Sequence, residues 1–500
     1  MTAERLAQRA GSAVLWQAGQ LFAVNAVNIV NLIVLTRLLT PEDFGLLAMG
    51  IASVELLAQA TDLGLTPALV QHGRLDERHY DAAWTVGAIR AVLLSVVAFL
   101  LAPVAATIYQ EPRGAAIVAV LAIRPVLYAA ASMKVADLIR RLEFRSLALL
   151  RLSEALAATV VSIALAHSFG VWGLVIGALA GPAVTAALSY RVAPYRPRVA
   201  FDRLATLSLI GFGRWILGTA VLAAVANLIV QVVVTRQLGA AELGLYVVAA
   251  RLAYLASEAL GEVVGAVAFP VSARLDVDVE QASTVFRALL VGSSAVLYPV
   301  LAITIAIAPS LGHELLGPRW AETTSVIRIL AVCAALGVLG DVTVPLYKGL
   351  GRPQVVTALE AAQSLIVILL IWPCVARYGL LGAALASLPA VLGSQLLNVH
   401  VLPQLLRRPF QGLPRRMAAI ITISIVGAIG AFVLDLALPG IPGLVCAASV
   451  SAAAAALLLF AVDRRFNLEL AGTLTRVFPA TAFVLSSRAT ARAPGRDVPS

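Results

Sequence analysis

Apolar runs long enough to cross a bilayer follow one another along nearly the whole chain, and this feature constrains the fold more than any other. A spanning helix needs about 20 mostly apolar residues. Such runs occupy 12–36, 44–66, 82–108, 115–136, 146–167, 170–190, 207–235, 242–268, 284–308, 322–346, 354–376, 379–403, 416–437 and 440–462. The chain is 60% apolar and 13% charged over 500 residues, against roughly 45–50% and 25% in soluble domains. An all-α integral membrane protein of about 14 transmembrane helices is the fold class these runs predict.

The formal charge of +10 would suggest nucleic acid in a soluble chain. Here it sorts by loop. With the N-terminus in the cytoplasm, inner segments hold 26 Lys and Arg, among them Arg5, Arg78, Lys134, Arg140, Arg191, Arg287, Lys348, Arg407 and Arg464, while outer loops hold 5: Arg37, Arg113, Arg236, Arg319 and Arg377. That split follows the positive-inside rule and predicts both termini in the cytoplasm of a bacterial inner-membrane protein. It accounts for the basic balance without a nucleic-acid partner. The opening "MTAERLAQRAGSAVLW" leads into an apolar run with no small-residue cleavage site, which reads as a first span and not a removable signal. The Arg, Ala, Ser and Pro-rich stretch 466–500 reads as a cytoplasmic tail. Cys333, Cys374 and Cys446 lie in apolar runs without paired spacing, so neither a disulfide framework nor a metal site is indicated.

The chain also repeats itself. "VLTRLLTPEDFG" from Val34 is echoed by "VVTRQLGAAELG" from Val233, and at this offset of 199 Trp16, Asn28, Arg37 and Gly45 match Trp215, Asn227, Arg236 and Gly244. A second echo pairs "FGVWGLVIGALAGP" from Phe169 with "YGLLGAALASLPAV" from Tyr378. Six spans per copy is an even number, so the copies enter the membrane in the same direction, a parallel repeat. This predicts an N-lobe over 1–206, a C-lobe over 207–406, two further helices over 407–465, and the tail. In the first turn Thr40 suits a cap, Pro41 the first helical position, and Glu42 and Asp43 the positive end of the helix dipole. Gly173, Gly177 and Gly181 form a small-residue ridge echoed by Gly382, Ala386 and Ala390, read as helix packing.

The stretches "VLTRLLTPEDFGLLAMG" (34–50), "TDLGLTPALVQHG" (61–73), "LLGPRWAETTSVIRILAV" (315–332) and "YKGLGRPQ" (347–354), with the repeated Thr-Arg turn, carry a family resemblance over roughly residues 10–405. The chain resembles the Wzx-type oligosaccharide flippases, the polysaccharide transporter branch of the multidrug/oligosaccharidyl-lipid/polysaccharide superfamily. The resemblance implies two six-helix lobes, alternating access, and translocation of an undecaprenyl-pyrophosphate-linked oligosaccharide from the inner to the outer leaflet. Membrane lipids, the lipid-linked glycan, and a polysaccharide polymerase with its export machinery are the partners it implies.

Six arginines fall inside spans: Arg90, Arg124, Arg151, Arg214, Arg251 and Arg328. A charge at a helix centre costs about 2.5–3.5 kcal/mol on insertion scales, which makes each a functional candidate. Arg151 and Arg214 lie within two turns of the inner end and read as snorkelling to headgroups. Arg90, Arg124 and Arg251, with Arg328 as a fourth, are the candidates for a pyrophosphate, because guanidinium offers phosphate oxygens a fork of donors. The three are expected to converge on one cavity. Glu55, Asp62, Glu154 and Glu258 are either counter-ions to them or groups that couple transport to protons, sodium or the membrane potential; no other cofactor is implied. Arg37 and Arg236 serve as an outer gate or as structural caps. Asn25, Asn28 and Asn227 make interhelical hydrogen bonds or line a polar lumen.

The competing transport readings are a peptidoglycan-precursor flippase and a cation-coupled drug exporter. A membrane glycosyltransferase or polymerase would need carboxylates or a metal site displayed at an interface. The five histidines are scattered and no nucleotide loop or nucleophile constellation occurs, so the chain does not read as an enzyme.

Overall fold

The computed structural model describes residues 3–62, 64–71, 75–141, 143–200, 214–274 and 279–466. The expected tail therefore lies outside the described residues apart from Phe466, as do the first residues of the seventh expected span. Helices succeed one another throughout: α1 (Ala3–Leu38), α2 (Pro41–Ala60), α3 (Leu65–Gln71), α4 (Glu77–Tyr109), α5 (Arg113–Leu121), α6 (Arg124–Ala129), α7 (Val135–Arg140), α8 (Phe144–Phe169) and α9 (Val171–Val192). Then come α10 (Arg214–Leu238), α11 (Ala240–Arg274), α12 (Val279–Ser310), α13 (Thr323–Gly349), α14 (Pro353–Tyr378), α15 (Leu380–Leu405), α16 (Leu413–Ala437) and α17 (Ile441–Phe466). Contacts group the chain into two compact units, residues 1–252 with 311–329 and 353–393, and residues 253–310 with 330–352 and 394–500.

Among the described residues, 13 helices are long and apolar enough to cross a membrane. Large apolar side chains remain exposed along them, as on α4 at Leu93, Phe99 and Leu100; outward apolar surface of this kind suits lipid contact. The fourth expected span, 115–136, is not one helix. It is broken into α5 and α6, with Arg124 and Pro125 at the break. Pro125 has no N–H to offer the Leu121 carbonyl four residues back, and its ring crowds that carbonyl. The apolar run is continuous in sequence, but its hydrogen-bond ladder is not.

The turn joining α1 to α2 forms as its residues require. Asp43 Oδ2 accepts from the Thr40 backbone N–H at 2.9 Å and from the Thr40 hydroxyl at 2.8 Å, and Pro41 opens the helix. The second copy of the turn packs directly on it. A Cβ on Gly45 would overlap the Ala240 carbonyl, and a Cβ on Gly244 would overlap the Pro41 carbonyl. Position 240 is the 199-offset equivalent of 41, so the contact is reciprocal, as a two-fold axis requires.

The segment after α12 seats on the same turn. Trp320 is fully buried, donates Nε1–H to the Thr36 carbonyl at 2.9 Å, and meets the Phe44 ring edge-on at 5.2 Å. On α9 the expected ridge packs against α8: a Cβ on Gly173 would come within 2.8 Å of the Ala166 nitrogen, and one on Gly181 within 3.0 Å of the Glu154 carbonyl oxygen.

Candidate functional site

A cavity of about 550 Å³ opens between the far end of α2, the first half of α4, α6 and α8. Its polar lining comprises Glu55, Asp62, Thr66, Arg90, Arg124, Tyr128 and Arg151, with Val54, Leu94, Pro125 and Met133 among the apolar walls. Three guanidinium groups against two carboxylates leave the lining net cationic. It lies at the end of α2 away from the α1–α2 turn. Arg124 comes 11 residues after Arg113, which opens α5, or about 16 Å of helical rise, close to the middle of a core about 30 Å thick. Irregular backbone at that depth is tolerated where it lines a cavity, and the α5–α6 break does so.

The three arginines are held differently. Arg90 is committed to the end of α2: Nη2 donates to the Ala58 carbonyl at 2.5 Å, Nε to the Thr61 hydroxyl at 3.2 Å, and Nη1 lies 4.0 Å from Asp62. It satisfies terminal carbonyl groups where the helix dipole is negative. Arg124 lies over the Tyr128 ring, 5.4 Å from its centroid, with Nη2 at 3.4 Å from the Tyr128 hydroxyl, and its buried Nε has no hydrogen-bond partner. Arg151 lines the cavity and forms no hydrogen bond or ion pair with the described residues, and the same holds for Glu55. The snorkelling reading of Arg151 measured its distance along the helix and not the direction of its side chain. The i, i+3 spacing from Arg151 to Glu154, which puts both on the side of α8 that meets α6, was the available signal.

Glu154 stands behind the lining. Its Oε1 accepts from the Tyr128 hydroxyl at 2.8 Å and its Oε2 from the Thr185 hydroxyl at 3.4 Å. Arg251 and Arg328 are exposed on α11 and α13 and are not among the residues that line this cavity. Glu258 is exposed on α11, Asn25 and Asn28 are half-buried on α1, and Asn227 is exposed on α10. The Arg214 side chain lies outside the described residues. Two intramembrane carboxylates went unremarked in the sequence: Asp341 on α13, 3.5 Å from the Ser257 hydroxyl, and Glu360 on α14, 3.3 Å from the Ser364 hydroxyl.

At the opposite end, Arg37 donates to the Leu315 carbonyl at 3.1 Å and to the Glu314 carbonyl, beside Gly317, whose φ of +112° only glycine adopts readily. Its matched residue, Arg236, is exposed at the end of α10. Arg113 pairs with Glu42 and, at 2.9 Å, with Glu111.

Residues 34–325 match the family model described as polysaccharide biosynthesis protein, more than half of the chain. The chain belongs to this family. Relatives of this chain include the succinoglycan biosynthesis transport protein ExoT of Rhizobium meliloti (strain 1021), 26% identical over 69% of this chain and 73% of that one. The lipopolysaccharide biosynthesis protein WzxC of Escherichia coli (strain K12) is 22% identical over 65% of this chain and 67% of that one. Among solved structures, the lipid II flippase MurJ in an inward closed conformation aligns with a TM-score of 0.73 and 12% identity over 91% of this chain and 99% of that one. A multidrug resistance MATE family transporter in its inward-facing conformation aligns with a TM-score of 0.59 and 16% identity over 80% of this chain and 96% of that one. These likenesses show the fold class of this chain, an all-helical fold of many membrane spans.

Proposed function

We infer that this chain is a flippase that moves a polyprenyl-pyrophosphate-linked oligosaccharide from the inner to the outer leaflet of a bacterial cytoplasmic membrane by alternating access. One observation carries the reading: Arg124 and Arg151 line one cavity, and neither Arg151 nor the buried Nε of Arg124 has a hydrogen-bond partner among the described residues. Guanidinium donors without protein partners are open to an anion, and a pyrophosphate presents the acceptor geometry they match. The relatives named for succinoglycan and lipopolysaccharide biosynthesis support a glycan cargo.

On the positive-inside orientation, with both termini cytoplasmic, the cavity opens on the inner half of the membrane, where a lipid-linked precursor loads. The lobes over 1–206 and 207–406 are the moving parts of the cycle. Glu55, the cavity carboxylate without a partner among the described residues, is assigned to coupling with a proton or sodium gradient or the membrane potential. A polymerase with its export machinery receives the delivered unit.

The test is flipping of a fluorescent polyprenyl-pyrophosphate oligosaccharide in proteoliposomes, comparing the parent with Arg124→Ala and Arg151→Gln at matched insertion. The parent flips, and each variant loses at least about tenfold, the range of a lost charge-assisted hydrogen bond. Parent-like flipping by both variants overturns the reading. A lipid II competitor distinguishes the peptidoglycan-precursor reading, which requires it to abolish flipping of the oligosaccharide.

A further inference from the structure

We propose that Glu154, acting through Tyr128, is a positioning residue that aims the Arg124 guanidinium at the substrate anion. The inference rests on the pyrophosphate reading of the cavity. Arg124 is the first residue of α6, a helix of only 6 residues that begins at a backbone break, so its own helix does little to fix its side chain. What fixes it is a chain of contacts running back into the bundle. Tyr128, four residues on, lies on the same face of α6; its ring lies beneath the guanidinium and its oxygen is 3.4 Å from Nη2.

The phenol proton goes the other way, to Glu154 Oε1 at 2.8 Å. Donation to a carboxylate strengthens the phenol oxygen as an acceptor, so the two bonds reinforce each other. Glu154 is fixed in turn by the Thr185 hydroxyl on Oε2 and by the bare face of Gly181, where a Cβ would come within 3.2 Å of the Glu154 Cγ. With Nη2 turned to Tyr128, the other Nη of Arg124, a residue that lines the cavity, is left for a ligand.

Direct electrostatics and positioning predict opposite signs. A carboxylate beside an anion site repels the anion, so its removal tightens binding if charge alone matters. Removal weakens binding if the carboxylate holds Arg124 in place.

Binding of inorganic pyrophosphate to the purified full-length protein, measured by calorimetry at fixed ionic strength, separates the two. Tyr128→Phe and Glu154→Ala are each expected to weaken binding about tenfold. The double variant should be no weaker than the weaker single, because both changes cut the same chain. Glu154→Gln keeps a carbonyl acceptor for Tyr128 and retains most of the affinity, a rescue that a role through charge would not give. Tighter binding by Glu154→Ala, or losses that multiply in the double variant, overturn the proposal while leaving the cavity reading intact. A parent that binds no pyrophosphate overturns both. If Glu154→Ala does not fold, Tyr128→Phe against Glu154→Gln still decides: equal, unchanged affinities overturn the proposal.

Discussion

Gly45 and Gly244 stand back to back, 199 positions apart in sequence and separated by no side chain: their would-be Cβ atoms lie 3.1 and 3.0 Å from each other's backbone nitrogens. The echoed turn is therefore a surface that binds its own copy. Small residues at such a crossing let two backbones approach where no hydrophobic drive separates helix from lipid.

Replacing either glycine with alanine forces the helices apart. Gly45→Ala and Gly244→Ala are each expected to destabilise the protein by about 1–3 kcal/mol, the usual cost of overpacking. Thermal midpoints in detergent measure this, and an unchanged midpoint would show that the turns do not bear on one another.

Trp320 and Thr36 make a second prediction. Trp320→Phe keeps the ring beside Phe44 but leaves the buried Thr36 carbonyl without its donor, a loss of about 1–3 kcal/mol. Trp320→Ala adds a cavity and should cost about 3–5 kcal/mol. Chemical denaturation should rank the two in that order.

Arg90 and Arg151 should fail differently. Arg90→Gln releases carbonyl acceptors at the end of α2 and should lower thermal stability by about 1 kcal/mol. Arg151→Gln touches no internal partner and should leave the midpoint unchanged while flipping falls. Equal loss of stability in both variants would contradict the division drawn between them.

Much of this was legible in the sequence. Hydropathy alone located 13 of the spans, and the residues of the first turn announced their cap. The small-residue ridge packed as its spacing implied. The break at Arg124 and Pro125 was not legible, and for a specific reason. Pro103, Pro182, Pro299, Pro345 and Pro373 all sit inside long helices here, so a proline in an apolar run does not distinguish a bent span from a broken one. The turn of Arg151 into the cavity was legible only through its i, i+3 spacing to Glu154, because depth along a helix says nothing of azimuth. Of the arginines read as one group, Arg90 and Arg124 share the cavity, while Arg251 and Arg328, exposed on α11 and α13, do not line it.

Pro125→Ala restores the missing N–H and favours a continuous helix from α5 into α6. It should raise the thermal midpoint while slowing flipping, the trade expected when a site keeps irregular backbone for its work. A faster transporter would show that the break is incidental.

The ion pairs at the turn between α4 and α5 carry a pH signature. Arg113 holds the Glu111 carboxyl below its usual range through a hydrogen bond and its charge. A depressed carboxyl contributes stability above its unfolded pKa, near 4.3, and loses it as pH falls through the lower folded value. Because Arg113 is half exposed, the effect should be less than about 1 kcal/mol. Arg113→Gln should flatten the midpoint-against-pH curve between about pH 5 and 3.

The divided fourth span also bears on how the chain enters the membrane in the first place. Its first piece has 9 residues and rises only about 14 Å, less than half the thickness of the hydrocarbon core. Its second piece begins with a charge. Neither fragment can partition into lipid alone, so this stretch has to leave the translocon in the company of α2 and α4, against whose walls it comes to rest. Assembly of the cavity is on this view a condition of completing the topology, and a chain that fails to form the one does not finish the other.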